Sequence, residues 1–170
     1  MWTYRGQQRP AFAVAPGPGQ ESVWDYPRPP ALVPDARLVE VRAGDAPLAS
    51  TRRAYRVLET AGPPTFYLPP EDVDRARLVR ASGNSVCEWK GVAAYWALAD
   101  APGARAVAWS YDDPAAAFRP IRWFLAFYPA RVECFVAGER VRPQPGGFYG
   151  GWITAEIVGP FKGEPGTAGW

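Results

Sequence analysis

Twenty prolines and seventeen glycines are spread over the 170 residues, and they constrain the fold more than any other feature of the sequence. Proline breaks the interior of a helix and glycine weakens helices and strands, so the segments between them are too short for long helices. Hydrophobic residues make up 48% of the chain, which is enough for a packed core. The sequence therefore predicts a folded, mainly β protein with long Pro/Gly-rich loops.

Residues 1–30 differ in composition from the rest of the chain. The stretches "PGPGQ" and "YPRPP" disfavour both a helix and the interior of a sheet. They predict an irregular arm. Because the arm contains Trp24 and Tyr26, we expect it to pack against the body of the protein. Residues 31–170 are then expected to form a single domain, long enough to bury a core without disulfide or metal support.

Short apolar runs over residues 31–170 indicate strands. "RLVEV" alternates apolar and charged residues, and the later runs are rich in aromatic and β-branched residues. One short helix is predicted within 69–81, where prolines and then Glu71 and Asp72 mark a helix start. This order of elements predicts a mainly β, antiparallel domain. Strands are predicted at 37–41, 55–59, 65–69, 92–98, 104–111, 121–128, 131–136 and 152–158, with a hairpin over 136–141.

The charge pattern argues against several classes of partner. Nineteen basic and seventeen acidic side chains give a net charge of +2, which does not suit a general nucleic-acid or anionic-membrane surface. No apolar run reaches the length of a membrane span, and the N-terminus lacks the order of a signal peptide. We therefore expect a cytoplasmic protein with a small-molecule ligand and no nucleic-acid or membrane partner, and we leave a homodimer open.

The chain contains no histidine, which removes several kinds of site. Ser–His and Cys–His catalytic pairs and His-ligated zinc are excluded, and two cysteines cannot form a four-thiolate site. A general base must be a carboxylate, Lys, Tyr or Cys. The adjacent Asp112 and Asp113 could bind a divalent cation, but such a pair before a proline more often forms a turn. We expect no metal and no cofactor.

The run "SVCEWKGVAAYW" (85–96) places a thiol and an amine three residues apart, at Cys87 and Lys90. On a regular strand the two side chains point to opposite faces, so they meet only if Gly91 bends the chain. If they meet, the ammonium favours a nucleophilic thiolate. If they do not, Cys87 is a small buried thiol beside a lysine whose stem covers apolar surface, and composition favours this interpretation. Cys134 is predicted to lie in the core, and the expected compartment disfavours a disulfide between the two cysteines.

Aromatic residues are concentrated in the same central strands. Trp and Tyr often line pockets for flat or cationic ligands, although most such clusters are core. Glu59, at the end of an apolar strand, lies either at the sheet rim or paired inside, and is the preferred general base. Lys162 lies in a Gly-rich stretch that either meets an anionic ligand or simply closes the fold. The candidate catalytic residues are Cys87, Lys90 and Glu59, and the candidate ligand-binding residues are Trp89, Tyr95, Trp96, Trp109, Tyr111 and Lys162.

Seven motifs can be compared with known families: "WDYPRPP" (24–30), "RVLET" (56–60), "PEDV" (70–73), "CEWKGVAAYW" (87–96), "AWSY" (108–111), "AFYP" (126–129) and "GGWITAEIVGPFKGEPGTAGW" (150–170). Together they resemble the bacterial family called domain of unknown function 427, over nearly the whole chain from Ser22 on. The run from Cys87 to Trp96 is the most specific part. Glu88 stands where many relatives have proline.

This resemblance implies a β-tent fold, in which two antiparallel sheets meet at an angle. Some β-tent domains bind a cyclic ligand between Trp rings, and several hold zinc through paired Cys-x-x-Cys motifs, which this chain lacks. The family label names nucleotidyl transfer, which normally needs two or three convergent carboxylates. Three functions remain. The leading one is binding of a small planar or nucleotide-like ligand in an aromatic pocket; the others are an enzyme using Cys87, Lys90 and Glu59 there, and a structural or protein-interaction domain.

Overall fold

A computed structural model describes all of residues 1–170, and its regular structure is almost entirely β. Helical structure is confined to short 3-10 turns at Val23–Asp25, Pro70–Asp72, Arg75–Arg77 and Ala116–Ile121, none of which could cross a lipid bilayer. The strands are β1 (Glu21–Ser22), β2 (Ala31–Asp35), β3 (Val39–Ala43), β4 (Ala46–Thr51), β5 (Ala54–Leu58), β6 (Thr65–Tyr67), β7 (Leu78–Cys87), β8 (Gly91–Leu98), β9 (Ala108–Tyr111), β10 (Ala126–Phe127), β11 (Glu133–Val136), β12 (Glu139–Arg140), β13 (Arg142–Pro143), β14 (Trp152–Ile153) and β15 (Ile157–Val158).

The strands pair into three larger sheets and two pairs. Sheet I has the order β10-β9-β8-β7, sheet II the order β12-β11-β3-β4, and sheet III the order β2-β5-β6, all antiparallel. β13 pairs with β14 antiparallel, and β1 with β15 parallel. The prediction of a mainly β domain of antiparallel sheets is confirmed, although the strands are distributed over more than the two sheets expected.

The segment predicted as a helix within 69–81 is helical only in two single turns. Between them the buried Val73 forms an antiparallel bridge with Ala49 of β4. From Leu78 onward the chain is β7, and Leu78 is buried opposite Leu98 of β8. Pairing with β4 and β8 therefore overrides the local helix signal, which survives only as the two 3-10 turns at Pro70–Asp72 and Arg75–Arg77.

Two strands that were not predicted each contain a proline. Pro34 lies in β2 and Pro47 in β4, and both strands are at the edge of their sheet. An edge strand tolerates proline because one side of its backbone needs no hydrogen-bond partner. The predicted strand at 121–128 is confirmed only at β10, because residues up to Ile121 form a 3-10 turn.

The two faces of sheet I pack against different clusters. On β9, Ala108 belongs to the main core, a cluster of 18 buried residues that also includes residues of sheets II and III. The next residue, Trp109, belongs with Tyr111 to a second cluster of nine on the opposite face. Because successive side chains of a strand point to opposite faces, sheet I closes the main core on one side and leaves a ring-rich wall on the other.

The first 30 residues contact the body through an aromatic cluster and one buried guanidinium. Trp24 is 1% exposed, and its ring lies 5.1 Å from that of Trp170. Arg28 donates to the backbone oxygens of Tyr4, Thr60 and Trp170 at 2.8–3.0 Å. These contacts connect both ends of the chain to the segment after β5.

Trp152 should be a main determinant of stability. It is fully buried, its ring stacks on that of Phe66 at 4.7 Å, and its Nε1 donates to the backbone oxygen of Phe127 at 3.0 Å. We expect Trp152→Ala to lower the free energy of unfolding by about 3–5 kcal/mol, measured as a shift in urea midpoint at unchanged m-value. The control Trp123→Ala, at a position 53% exposed, should change it by about 0.5 kcal/mol or less. Equal losses would contradict this account of the core.

Candidate functional site

A cavity of about 430 Å³ lies between the ring-rich wall of sheet I and sheet III. β7, β8 and β9 form one side and β5 and β6 the other, and residues of the N-terminal arm, of the segment after β5 and of the C-terminal part of the chain (144, 148–150 and 162) complete it. The volume falls in the range of small-molecule sites, about 300–1,000 Å³. Its aromatic lining consists of Trp2, Tyr67, Trp89, Tyr95, Trp109, Tyr111, Tyr128, Phe148 and Tyr149.

The β7–β8 hairpin delivers the Cys–Lys motif to this cavity. Cys87 pairs with Gly91, and Glu88, Trp89 and Lys90 form the turn between them. Gly91 has a φ of +107°, a conformation that residues with a side chain rarely adopt, so glycine is what permits this bend. Cys87 and Lys90 both line the cavity. The bend that the sequence argument required is therefore present.

Lys90 is a buried amine without a protein partner. It is 8% exposed, and its Nζ forms no hydrogen bond or salt bridge. Its nearest rings are Phe118, at 5.6 Å, and Tyr111, at 5.9 Å. The fully buried polar atoms that lack a partner are the Nε1 of Trp24 and the Nε of Arg56, so the ammonium of Lys90 is not sealed in protein. It opens onto the cavity.

Lys90, Tyr67 and Tyr111 form what we call the inner end of the cavity. The phenols that line the cavity there are neutral. Burial raises the pKa of Tyr67 and Tyr111 well above the ordinary value, and it raises the pKa of Tyr128 to about 12. The hydroxyl of Tyr67 accepts from the Nε1 of Trp109 at 3.3 Å, which leaves its own proton available to an acceptor. This end therefore offers hydroxyl donors and a cation.

Glu59 is part of an ion pair on the cavity wall. It accepts from the Nε of Arg28 at 3.0 Å and from the Nε1 of Trp89 at 3.3 Å. The guanidinium of Arg28 is buried, and the Glu59 side chain is 29% exposed. The sequence left open whether Glu59 lies at the sheet rim or is paired inside. In the structure its carboxylate is paired and is also partly accessible. Its direct effect is to orient the Trp89 ring.

Trp2 covers the cavity beside Lys162. Its ring lies 3.8 Å from the Nζ of Lys162 and 4.2 Å from the Cζ of Arg28, and its Nε1 donates to Glu88 at 2.9 Å. The Nζ of Lys162 also donates to the backbone oxygen of Trp170 at 3.4 Å. Burial, reinforced by the charge of Arg28, lowers the pKa of Lys162 to about 8. We call Trp2, Glu88, Phe148 and Tyr149, which are exposed or half-buried, the rim.

Trp96 is the one predicted site residue that does not line the cavity. It follows Tyr95 on β8 and therefore points to the opposite face, where it packs against the main core. Its Nε1 donates to Ser110 at 2.9 Å, and Arg80 lies over its ring at 5.1 Å. The cavity does take in the other eight: Cys87, Lys90, Glu59, Trp89, Tyr95, Trp109, Tyr111 and Lys162.

Several lining residues were not predicted from sequence. Tyr67 could have been found, because it alternates with the core residues Phe66 and Leu68 on a predicted strand. Trp2 and Arg28 carried no local signal, since they reach the cavity through the folding of the arm. The aspartate pair lies elsewhere: Asp112 is half exposed and pairs with Arg80 at 2.9 Å, and no three His, Cys, Asp or Glu side chains converge.

The two cysteines should differ sharply in reactivity. Cys134 is fully buried in the main core, as predicted, and burial raises the pKa of its thiol. Cys87 is half-buried on the cavity wall, and both thiols are free. We expect iodoacetamide to alkylate Cys87 in the folded protein and Cys134 only in denaturant, as read by peptide mass spectrometry. Comparable labelling of both in the folded protein would contradict the structure.

Lys162 should make stability depend on pH. The unfolded chain holds this proton up to the ordinary pKa of 10.5, whereas the folded chain loses it near 8. The unfolded state then binds more protons in this interval, so the free energy of unfolding rises as pH increases from about 8 to about 10. We expect this rise to shrink in Lys162→Met, compared with wild type by urea denaturation at each pH. The charged groups facing Lys162 are Arg28, Glu59 and Glu88. An unchanged slope would contradict the burial of a titrating amine.

Comparison with known proteins assigns a family. No curated protein sequence matches the chain. A family model described as "Domain of unknown function (DUF427)" matches residues 31–138, which is more than half of the chain. The match includes Glu59, the whole β7–β8 hairpin and β9, and it excludes Trp2, Arg28 and Lys162. The chain therefore belongs to the domain of unknown function 427 family.

Proposed function

We propose that this protein binds a small planar organic molecule, such as one with a nucleobase-like ring system, in the cavity between sheets I and III. The observation that carries the proposal is open space of about 430 Å³ lined by nine aromatic rings, of which four are buried: Tyr67, Trp109, Tyr111 and Tyr128. Side chains that serve only as core pack at the density of organic crystals, and unfilled space among them destabilises a fold. A cavity of this size, in contrast, suits a ligand-binding site.

The rings of the cavity are held in place before any ligand arrives. Trp109 lies 4.6 Å from Tyr128 and is hydrogen-bonded to Tyr67. Trp89 is held by Glu59, and the hydroxyl of Tyr95 lies 2.6 Å from that of Ser85. Fixed rings lose little conformational entropy when a planar ligand stacks on them, which favours affinity. Preorganisation of this kind supports binding rather than a passive aromatic cluster.

An enzyme acting at the same cavity is the second candidate. The observation that favours it is that Cys87 and Lys90 reach one cavity through one turn. Cys87 would be the nucleophile and Lys90 would stabilise negative charge. Glu59 would act as acid or base only after leaving Arg28. Alkylation of Cys87 that stays fast well below pH 8 would favour this candidate.

Filling the cavity should weaken binding. As probes we choose the matched pair 2-naphthoate and 2-naphthamide, and we expect at least one to bind wild type with a Kd below about 1 mM by calorimetry, since even millimolar affinity corresponds to about 4 kcal/mol. Ala93 is 2% exposed on the cavity wall, so Ala93→Phe places a ring in the space the probe needs. We expect binding to weaken by tenfold or more.

The neighbouring Val92 provides the control. It is 56% exposed and does not line the cavity, so Val92→Phe adds a ring to the same strand but leaves the site unchanged. If Ala93→Phe does not fold, as judged by circular dichroism, Ala93→Leu replaces it. Binding that survives in the filled variant would place the probe elsewhere. Failure of both probes to bind wild type would favour the structural or protein-interaction function.

A further inference from the structure

Both lysines of this chain line the same cavity. The other seventeen basic side chains are arginines. Lys90 is 8% exposed and Lys162 is 6% exposed, although lysine is among the residues least often buried. The cavity therefore contains two buried amines in a protein that otherwise uses guanidinium groups. Their surroundings differ, and the difference identifies the kind of ligand.

Lys162 already has partners for its charge. Its Nζ lies over the ring of Trp2 at 3.8 Å and donates to the backbone oxygen of Trp170. Arg28, which lies nearby, is neutralised by Glu59 at 3.0 Å. The cations at this side of the cavity thus have protein groups against them, although burial and Arg28 still lower the pKa of Lys162.

Lys90 has no such compensation. No carboxylate pairs with it, no oxygen accepts from it, and its nearest rings are more than 5 Å away. A buried charge that lacks a partner is strongly unfavourable, whereas a hydrogen-bonded ion pair offsets much of that loss. The ammonium opens onto the cavity, so the partner that it lacks can come from a bound molecule.

We propose that the ligand carries a carboxylate, which binds the ammonium of Lys90 at the inner end; this inference rests on the proposed function. The ring system of the ligand then lies toward Trp109 and Tyr95. One ammonium balances one negative charge, which suits a carboxylate better than a phosphate with its charge near −2. The hydroxyl of Tyr67 accepts from Trp109, keeps its own proton, and lines the same cavity as a further hydrogen-bond donor.

The matched probes test the inference, because they share one ring system and differ in a single group, which is an anionic carboxylate in one and a neutral amide in the other. We expect wild type to bind 2-naphthoate at least about tenfold more tightly than 2-naphthamide, the effect of one charge-assisted hydrogen bond. Lys90→Met should bind both equally and should retain its affinity for the amide within about threefold.

Two further variants test whether the preference for the acid comes from Lys90 itself or from positive charge elsewhere in the protein. Arg119 is exposed on the 3-10 turn that contains Phe118, so Arg119→Met removes one positive charge outside the cavity. It should leave the preference unchanged. Loss of the preference in Lys162→Met but not in Lys90→Met would place the acid beside Lys162 and overturn the inference. Tighter binding of 2-naphthyl phosphate than of 2-naphthoate would overturn the choice of a monoanion.

Failure of the inference is distinguishable from failure of the proposed function. If both probes bind wild type with equal affinity, and Ala93→Phe blocks both, the cavity binds planar molecules but Lys90 does not select an acid. If neither probe binds wild type, both proposals are overturned. If Lys90→Met does not fold, Lys90→Gln keeps the comparison, because it also removes the charge.

Discussion

The alternation of side chains along β8 and β9 is the constraint on which the rest of this structure depends. On β9, small Ala108 faces the main core while Trp109 and Tyr111 face the cavity. On β8, Tyr95 and Trp96 divide between the same two sides. One sheet therefore serves two purposes, because its period of two lets large rings on one face coexist with dense packing on the other.

The β7–β8 hairpin at one edge of that sheet brings the reactive side chains together. A three-residue turn at Glu88–Lys90, closed by Gly91 in a conformation suited to glycine, carries Trp89 and Lys90 into a cavity whose far wall belongs to sheet III. A strand that continued straight would separate Cys87 from Lys90. The site is thus a property of the turn rather than of either strand.

Charge in this site is arranged unevenly. Arg28 connects the arm to the segment after β5 and to Trp170. It also pairs with Glu59, which in turn accepts a hydrogen bond from Trp89. Lys162 lies against Trp2. The protein therefore compensates the cations at one side of the cavity with its own groups and leaves Lys90 open, which is the physical basis for expecting an acidic ligand.

The sequence by itself determined the β class, the approximate positions of strands such as β3, β5 and β8, and eight of the 25 residues that line the cavity. Proline and glycine frequency excludes long helices, and aromatic and β-branched runs mark strands such as β5, β8 and β11. The run from Cys87 to Trp96 was chosen for its chemistry, and all of its candidate residues but Trp96 reach the cavity. These conclusions rest on local properties, which composition and periodicity express.

The tertiary structure alone decided which face each residue takes, and which distant groups meet. Trp96 lies on the core side of sheet I, because the phase of β8 depends on its pairing with β7 and β9 and not on its own residues. The segment before β7, predicted as a helix, instead forms a β-bridge between Val73 and Ala49, which is a contact between segments distant in sequence. Trp2 and Arg28 reach the site only because the arm folds back over it. Long-range pairing and burial are free energies of the whole fold, so no local pattern contains them.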